Sequence, residues 1–174
     1  MKRVFISIEL PENVKKEIQR IQEKLHEFSG KKTEFENLHL TLKFLGEINE
    51  EKIEKVKEKL IEVKLKKIDC SIDEIGVFNE DFIKIVWIHL GGCEKLQKEV
   101  DESLKDLFKS EKRFMSHITI ARVKGVKDKK KFLEELKKIK FKKINFVVDK
   151  FSLMKGVLMP DGPEYKIIEE YNLK

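Results

Sequence analysis

Apolar residues recur along this chain in two rhythms, and the two alternate. Val14, Ile18, Ile21 and Leu25 are spaced 4, 3 and 4 apart, an apolar stripe on a helix. Pro11 suits the first turn of that helix, and Gly30 is expected to stop it. Residues 38–45 (Leu-His-Leu-Thr-Leu-Lys-Phe-Leu) instead alternate with period two and predict a strand closed by Gly46. Ile53, Val56, Leu60 and Val63 mark a second helix, and residues 68–77 another strand. The order then repeats. Residues 82–90 predict a strand broken by Gly91-Gly92, Leu96, Val100, Leu104 and Leu107 a helix, and Ser116 to Val123 a strand ending near Gly125. Phe132, Leu136 and Ile139 give a short helix, 144–154 a strand and 165–171 a last one.

Moving the first half forward by 78 residues lays the strand at 3–9 on 81–87, the helix at 50–63 on 128–141, and His39-Leu40-Thr41-Leu42 on His117-Ile118-Thr119-Ile120. A repeat this long reads as an internal duplication of a strand–helix–strand–helix–strand unit, hence two similar lobes rather than a solenoid. With no Pro/Gly/Ser-rich linker between halves of about 1–78 and 79–174, the expectation is one domain, 1–174, of two intimately packed lobes.

Alternation assigns faces. On the first motif strand Leu38, Leu40, Leu42 and Phe44 are expected in the core, with His39, Thr41 and Lys43 opposite. On the second, Ile118 and Ile120 are expected inside, with His117 and Thr119 opposite. Each half therefore presents an imidazole and a hydroxyl on the non-core side of a sheet. One His-x-Thr is a weak signal; two at matching places in a duplicated unit are strong. Two imidazoles across a cleft can remove a proton at one oxygen while delivering one at another, because a pKa of about 6.5 leaves both forms accessible. Threonine hydroxyls can bind the non-bridging oxygens of a phosphate between them. A metal centre is not expected, since no HExxH, third ligand or clustered carboxylate accompanies the histidines. Cys70 and Cys93 are read as small apolar residues rather than nucleophiles. His26 and His89 carry no motif.

Charge adds one alternative. The chain has 38 Lys+Arg against 32 Asp+Glu, a net charge of +6, yet only four of the cations are arginines. Lysine interleaved with glutamate predicts a thermophile-like, ion-pair-laced surface, while the residual positive field also suits a polyanion such as RNA. A non-catalytic RNA-binding module is therefore a competing reading, as is the same chemistry on a small cyclic nucleotide. No apolar stretch approaches the roughly 20 residues that span a bilayer, and two cysteines make no disulfide framework. A cytoplasmic, monomeric protein without membrane association is expected.

The segments His39-Leu40-Thr41-Leu42-Lys43-Phe44-Leu45-Gly46 and His117-Ile118-Thr119-Ile120-Ala121-Arg122 closely resemble the signature motifs of the two-histidine (2H) phosphoesterases. Arg3 to Pro11, Val86-Trp87 and Gly162-Pro163-Glu164-Tyr165 are similar to the RNA 2′,3′-cyclic phosphodiesterase family, also called 2′-5′ RNA ligases. The resemblance implies an α+β fold, bilobal and pseudo-symmetric, with two antiparallel sheets facing a central cleft and helices outside. It implies hydrolysis of RNA 2′,3′-cyclic phosphate ends, tRNA fragments among the conceivable ones, to 2′-phosphates. In some members such an end is joined reversibly to a 5′-hydroxyl without ATP, and no P-loop or GxGxxG is present here to need a nucleotide. No cofactor is expected. His39 would be the general acid, His117 the general base, and Thr41, Thr119 and Arg122 phosphate ligands. Lys43 and Phe5 are further candidates for substrate contact. Strict alternation puts Arg122 with the core, so either a bulge must turn it into the cleft or it must reach around the strand edge.

Overall fold

The computed structural model describes residues 1–174. Its strands are β1 (Lys2–Glu9), β2 (Ser29–Lys32), β3 (His39–Ile48), β4 (Ile68–Val77), β5 (Ile85–Gly91), β6 (His117–Gly125), β7 (Ile144–Val148), β8 (Lys150–Met159) and β9 (Gly162–Asn172). The helices are α1 (Glu12–Glu23), α2 (Glu50–Leu60), α3 (Glu94–Ser103) and α4 (Lys129–Lys138). Asn49 and Asp128 cap α2 and α4, each side chain accepting a backbone N–H three residues on.

All strand pairings are antiparallel, in the order β7-β4-β5-β6-β3-β1-β8-β9, with β2 added to β6. Two half-sheets, β7-β4-β5-β6 and β3-β1-β8-β9, meet at a single residue pair, Leu40 with Ile118. They thus form one continuous sheet pinched at its centre. The two motif strands run in opposite directions through that pair, so their histidines approach from opposite sides of a local twofold.

The half-sheets are not the sequence halves. β4 ends the first repeat but pairs with β5 of the second, and β8, from the second, pairs with β1 of the first. Residues 144–154 are consequently two strands rather than one. The chain leaves β7, on β4, and after Asp149 enters β8, on β1. The duplication also departs from a uniform shift. Ser7 pairs with Thr41 as Trp87 pairs with Thr119, where a 78-residue shift would have placed Ile85.

One face of the sheet carries Val4, Ile6, Ile8, Leu40, Leu42, Ile88, Leu90, Ile118 and Ile120. They join the helix stripes (Val14, Ile18, Ile21; Ile53, Val56, Leu60; Leu96, Val100; Phe132, Leu136) in one core cluster of 37 residues. Burying each such side chain contributes about 1.5–3 kcal/mol, so the helices are held against the face opposite the motif hydroxyls. α1 packs against β6 and α3 against β3, each helix reaching the motif strand of the other repeat. The interleaved charges lie outside, many as helical pairs such as Lys16–Glu12 and Lys55–Glu51. No helix is long and apolar enough to cross a membrane.

α1 ends at Glu23, short of Gly30, because residues 29–32 form an added strand with no apolar member to announce it. Gly30 serves that strand instead of a helix stop. At φ +146° it has no side chain, and a Cβ there would lie 2.2 Å from the carbonyl oxygen of Arg122.

Candidate active site

Both motif strands carry a β-bulge, and the bulges decide which side chains reach the cleft. In β3, Ile6 pairs with Lys43 and Ser7 with Thr41, leaving Leu42 as the extra residue. In β6, Val86 pairs with Ala121 and Trp87 with Thr119, leaving Ile120 as the extra residue. The alternation therefore changes phase within each strand. Ile120 and Ala121 are both buried and Arg122 emerges on the same side as His117 and Thr119, so the bulge resolves its conflict of parity.

The same phase change corrects two expectations. Lys43, expected in the cleft, is 7% exposed in the core, where it pairs with Asp101 of α3 and donates to the Lys109 carbonyl at 2.8 Å. Phe44, expected in the core, is 71% exposed and lines the cleft. The shift can be seen in the sequence once its cause is known. Core positions run 38, 40, 42 and then 43, 45 in β3, and 118, 120 and then 121, 123 in β6.

The cleft is a cavity of about 730 Å³ lined by His39, Thr41, His117, Thr119 and Arg122 together, within the range of about 300–1,000 Å³ common for small-ligand sites. His39 Nδ1 donates to the carbonyl of Asn37 at 2.7 Å, and His117 Nδ1 to that of Met115 at 2.8 Å. Each ring thus donates to the carbonyl two residues before it. That bond fixes the tautomer and leaves Nε2 as the basic atom of a neutral ring. His39 Nε2 accepts from Thr41 Oγ1 at 3.0 Å.

Aromatic contacts hold the rings. Phe5 stacks on His39 at 5.1 Å between centroids and Tyr165 meets it edge-on at 5.2 Å, while Phe78 stands edge-on to His117 at 4.9 Å. Phe5 is only 3% exposed, so it supports His39 from below rather than offering an open face. Burial pushes the His39 pKa below its ordinary value. The Asn37 carbonyl opposes this, and the positive charges of Lys15 and Arg122 and the nearby His117 imidazole add to it. Burial raises the Tyr165 pKa, keeping the phenol neutral.

The rest of the wall lies outside the motifs. Arg3, Lys32, Thr33 and Asn37 line it, and the β8–β9 hairpin contributes Gly156, Leu158, Pro163 and Tyr165 among others. Among the lining side chains Lys2, Arg3, Lys31, Lys32 and Arg122 outnumber Glu34 and Glu47, so the cavity carries a net positive field. The hairpin is tied across the cleft by Asn37 Nδ2 donating to the Pro163 carbonyl at 2.9 Å and by Lys31 Nζ donating to the Asp161 carbonyl at 2.6 Å. Asn37 therefore meets the hairpin through its side chain and His39 through its backbone. Sequence reasoning missed Thr33, Asn37, Phe44 and Tyr165 as site residues. Only the bulge phase could have flagged Phe44; Thr33 and Asn37 come from the connection between β2 and β3, and Tyr165 from a distant hairpin. His89 bonds Asp73 at 2.7 Å outside the cavity. The buried thiols of Cys70 and Cys93 are pushed up to about 12 and about 11 by desolvation, which leaves them unreactive. No group of three or more His, Cys, Asp or Glu side chains is placed to hold a metal ion.

Comparison with known proteins places the chain in a family. Two curated relatives are each named RNA 2′,3′-cyclic phosphodiesterase. That of Methanocaldococcus jannaschii is 37% identical over 97% of this chain and 99% of its own, and that of Thermotoga maritima 35% identical over 97% and 94%. Among solved structures, Escherichia coli LigT complexed with 3′-AMP superimposes with a TM-score of 0.83 at 21% identity, covering 99% of this chain and 98% of that one. TT0787 of Thermus thermophilus gives 0.80 at 24%, covering 98% and 97%. The profile of the family described as LigT like Phosphoesterase matches residues 8–87 and 91–165. The chain is an enzyme of that family, the two-histidine phosphoesterases.

Proposed function

We propose that this enzyme hydrolyses RNA 2′,3′-cyclic phosphate ends to 2′-phosphates by metal-independent general acid–base catalysis. The observation that carries the reading is the matched pair of imidazoles. One comes from each repeat, each is held through Nδ1 by a carbonyl two residues upstream, and both line one cationic cavity. The names of the curated relatives support RNA as the substrate class.

In this mechanism Thr41, Thr119 and Arg122 bind the non-bridging oxygens of the cyclic phosphate. His117 Nε2 takes a proton from water as its oxygen attacks phosphorus. The P–O3′ bond breaks, and His39 Nε2 delivers its proton to the departing 3′ oxygen. The pair ends with its proton moved from His39 to His117 and resets by exchange with solvent. In the empty cleft burial favours a neutral His39, so the charge of the bound phosphate is what loads this ring with its proton. A 5′-hydroxyl in the place of water gives a 2′-5′ linkage by the same bond changes, without ATP.

The test is an oligonucleotide ending in a 2′,3′-cyclic phosphate, incubated in chelator with the product followed by ³¹P NMR. A 2′-phosphate is expected; an unchanged end or a 3′-phosphate would overturn the proposal. Roles are separated by a substrate whose 3′ leaving atom is sulfur, which departs without a proton. It should restore turnover to His39→Ala and leave His117→Ala inactive, and the reverse pattern would exchange the two roles.

A further inference from the structure

The bulge that turns Arg122 into the cleft is held by something outside the cleft. Its extra residue, Ile120, has a carbonyl that accepts from the Thr33 backbone N–H at 2.9 Å and from Gln22 Nε2 at 2.8 Å. The same Nε2 donates to the Thr33 carbonyl at 2.9 Å, so both amide hydrogens of one side chain are used on this junction. Gln22 lies near the end of α1, 5% exposed, among the apolar residues of that helix. Thr33 Oγ1 closes the other side by donating to the Thr119 carbonyl at 2.9 Å. The carbonyls of two successive residues, Thr119 and Ile120, are thereby fixed immediately before Ala121 and Arg122.

A bulge without such anchors has a competing conformation, the regular ladder, in which alternation returns Arg122 to the core side. A buried carbonyl left unpaired costs about 1–3 kcal/mol, so donors supplied at Ile120 favour the bulged form. The other repeat supports this logic by symmetry. There α3 takes the place of α1, and its Asp101, following Val100 as Gln22 follows Ile21, binds Lys43 next to the β3 bulge. Each helix thus pins the bulge of the opposite repeat's motif strand.

We propose that Gln22 is a positioning residue for Arg122, its carboxamide holding the β6 bulge in the form that presents the guanidinium to the substrate phosphate. The inference rests on the phosphodiesterase reading of the cleft. Removing both donors with Gln22→Met, a side chain of similar length, should lower kcat/KM about tenfold, within the loss of about 10²-fold that a distant change displacing a group by 1 Å can cause.

The experiment is a double-mutant cycle on the full chain, pairing Gln22→Met with Arg122→Ala and measuring kcat/KM on the cyclic-phosphate oligonucleotide and the melting temperature. If Gln22 acts through Arg122, its loss of activity disappears in the Arg122→Ala background while its effect on melting persists. If the activity losses multiply, Gln22 is structural only and the proposal falls. Thr33→Val, which deletes the hydroxyl anchor at a partly exposed strand end, provides the same cycle should Gln22→Met not fold. It should lose about threefold, again only when Arg122 is present. A wild-type enzyme that fails to open the cyclic end would overturn the reading of function instead. The cycle is then read in the affinity for inorganic phosphate, with the same two outcomes.

Discussion

The two motif strands are built alike and finish differently. Both place His-x-Thr on the cleft face, both lock the imidazole through Nδ1 onto the carbonyl two residues before, and both bulge one residue after the threonine. The first cleft-facing residue beyond the bulge is Phe44 in β3 and Arg122 in β6, and the buried residue before it is Lys43 in one and Ala121 in the other. His39 lies between Phe5 and Tyr165 with Nε2 already bonded to Thr41, whereas His117 has a single edge contact with Phe78 and no such bond. Duplication therefore supplies two matched rings, and their aromatic surroundings together with the residue after each bulge end the equivalence. In the proposed mechanism, the exposed aromatic face of Phe44 on one side and the Arg122 guanidinium on the other would orient the substrate, nucleoside toward Phe44 and phosphate toward Arg122.

The comparison breaks most sharply at the rings themselves. His39→Ala and His117→Ala should each reduce turnover by about 10²–10⁴-fold with little change in melting temperature, and a loss under tenfold in either would show that its ring is not catalytic. Next comes the buried partner of the first bulge. Lys43→Met strands the Asp101 carboxylate in the core and should cost about 3–5 kcal/mol of stability by denaturant unfolding. Adding Asp101→Leu should restore most of it, whereas Ala121→Ser, at the equivalent place in β6, leaves no charge unpaired and should cost far less.

Exchanging the residues after the bulges sharpens the point. Arg122→Ala should raise KM for every cyclic phosphate by roughly ten- to a hundredfold. Phe44→Ala should weaken binding only of substrates carrying a base to stack, by about 1–3 kcal/mol. Equal losses on base-bearing and base-free cyclic phosphates would remove that distinction. The smallest effect is on pH. Because burial favours the neutral His39 ring in the folded state, the unfolded chain binds more protons once the pH falls below its ordinary pKa of about 6.5. Stability should decline as the pH drops through that window and be complete above it. His39→Asn should flatten the decline in urea titrations between pH 8 and pH 5.

Much of this was legible from periodicity. The four helices, the motif strands and the duplication follow from apolar spacing, because each element buries one face and the spacing records which. Lys43 and Phe44 were misplaced because a bulge leaves only a one-residue phase change, which looks like an ordinary lapse in alternation. β2 left no record at all. Ser29 to Lys32 are all exposed, and they pair with β6 through backbone bonds and the space Gly30 leaves, not through apolar burial. The turn after Asp149 was equally silent, since β7 and β8 are both strands and only their partners differ. Tyr165 reaches His39 from 126 positions away along a hairpin whose curvature no local pattern encodes.

The exchange of β4 and β8 has a further consequence. Each repeat finishes its partner's half-sheet with a strand of its own, so a fragment ending at Val77 would carry β4 with nothing to pair with and leave one side of β1 bare. Two copies of such a fragment could satisfy both needs only by lending β4 to each other. That is the arrangement of a strand-swapped homodimer, and the present chain is its covalent, asymmetric counterpart. Joined in one chain, the two halves can hold a phenylalanine at one place and an arginine at the other, a difference that an assembly of identical subunits could not carry.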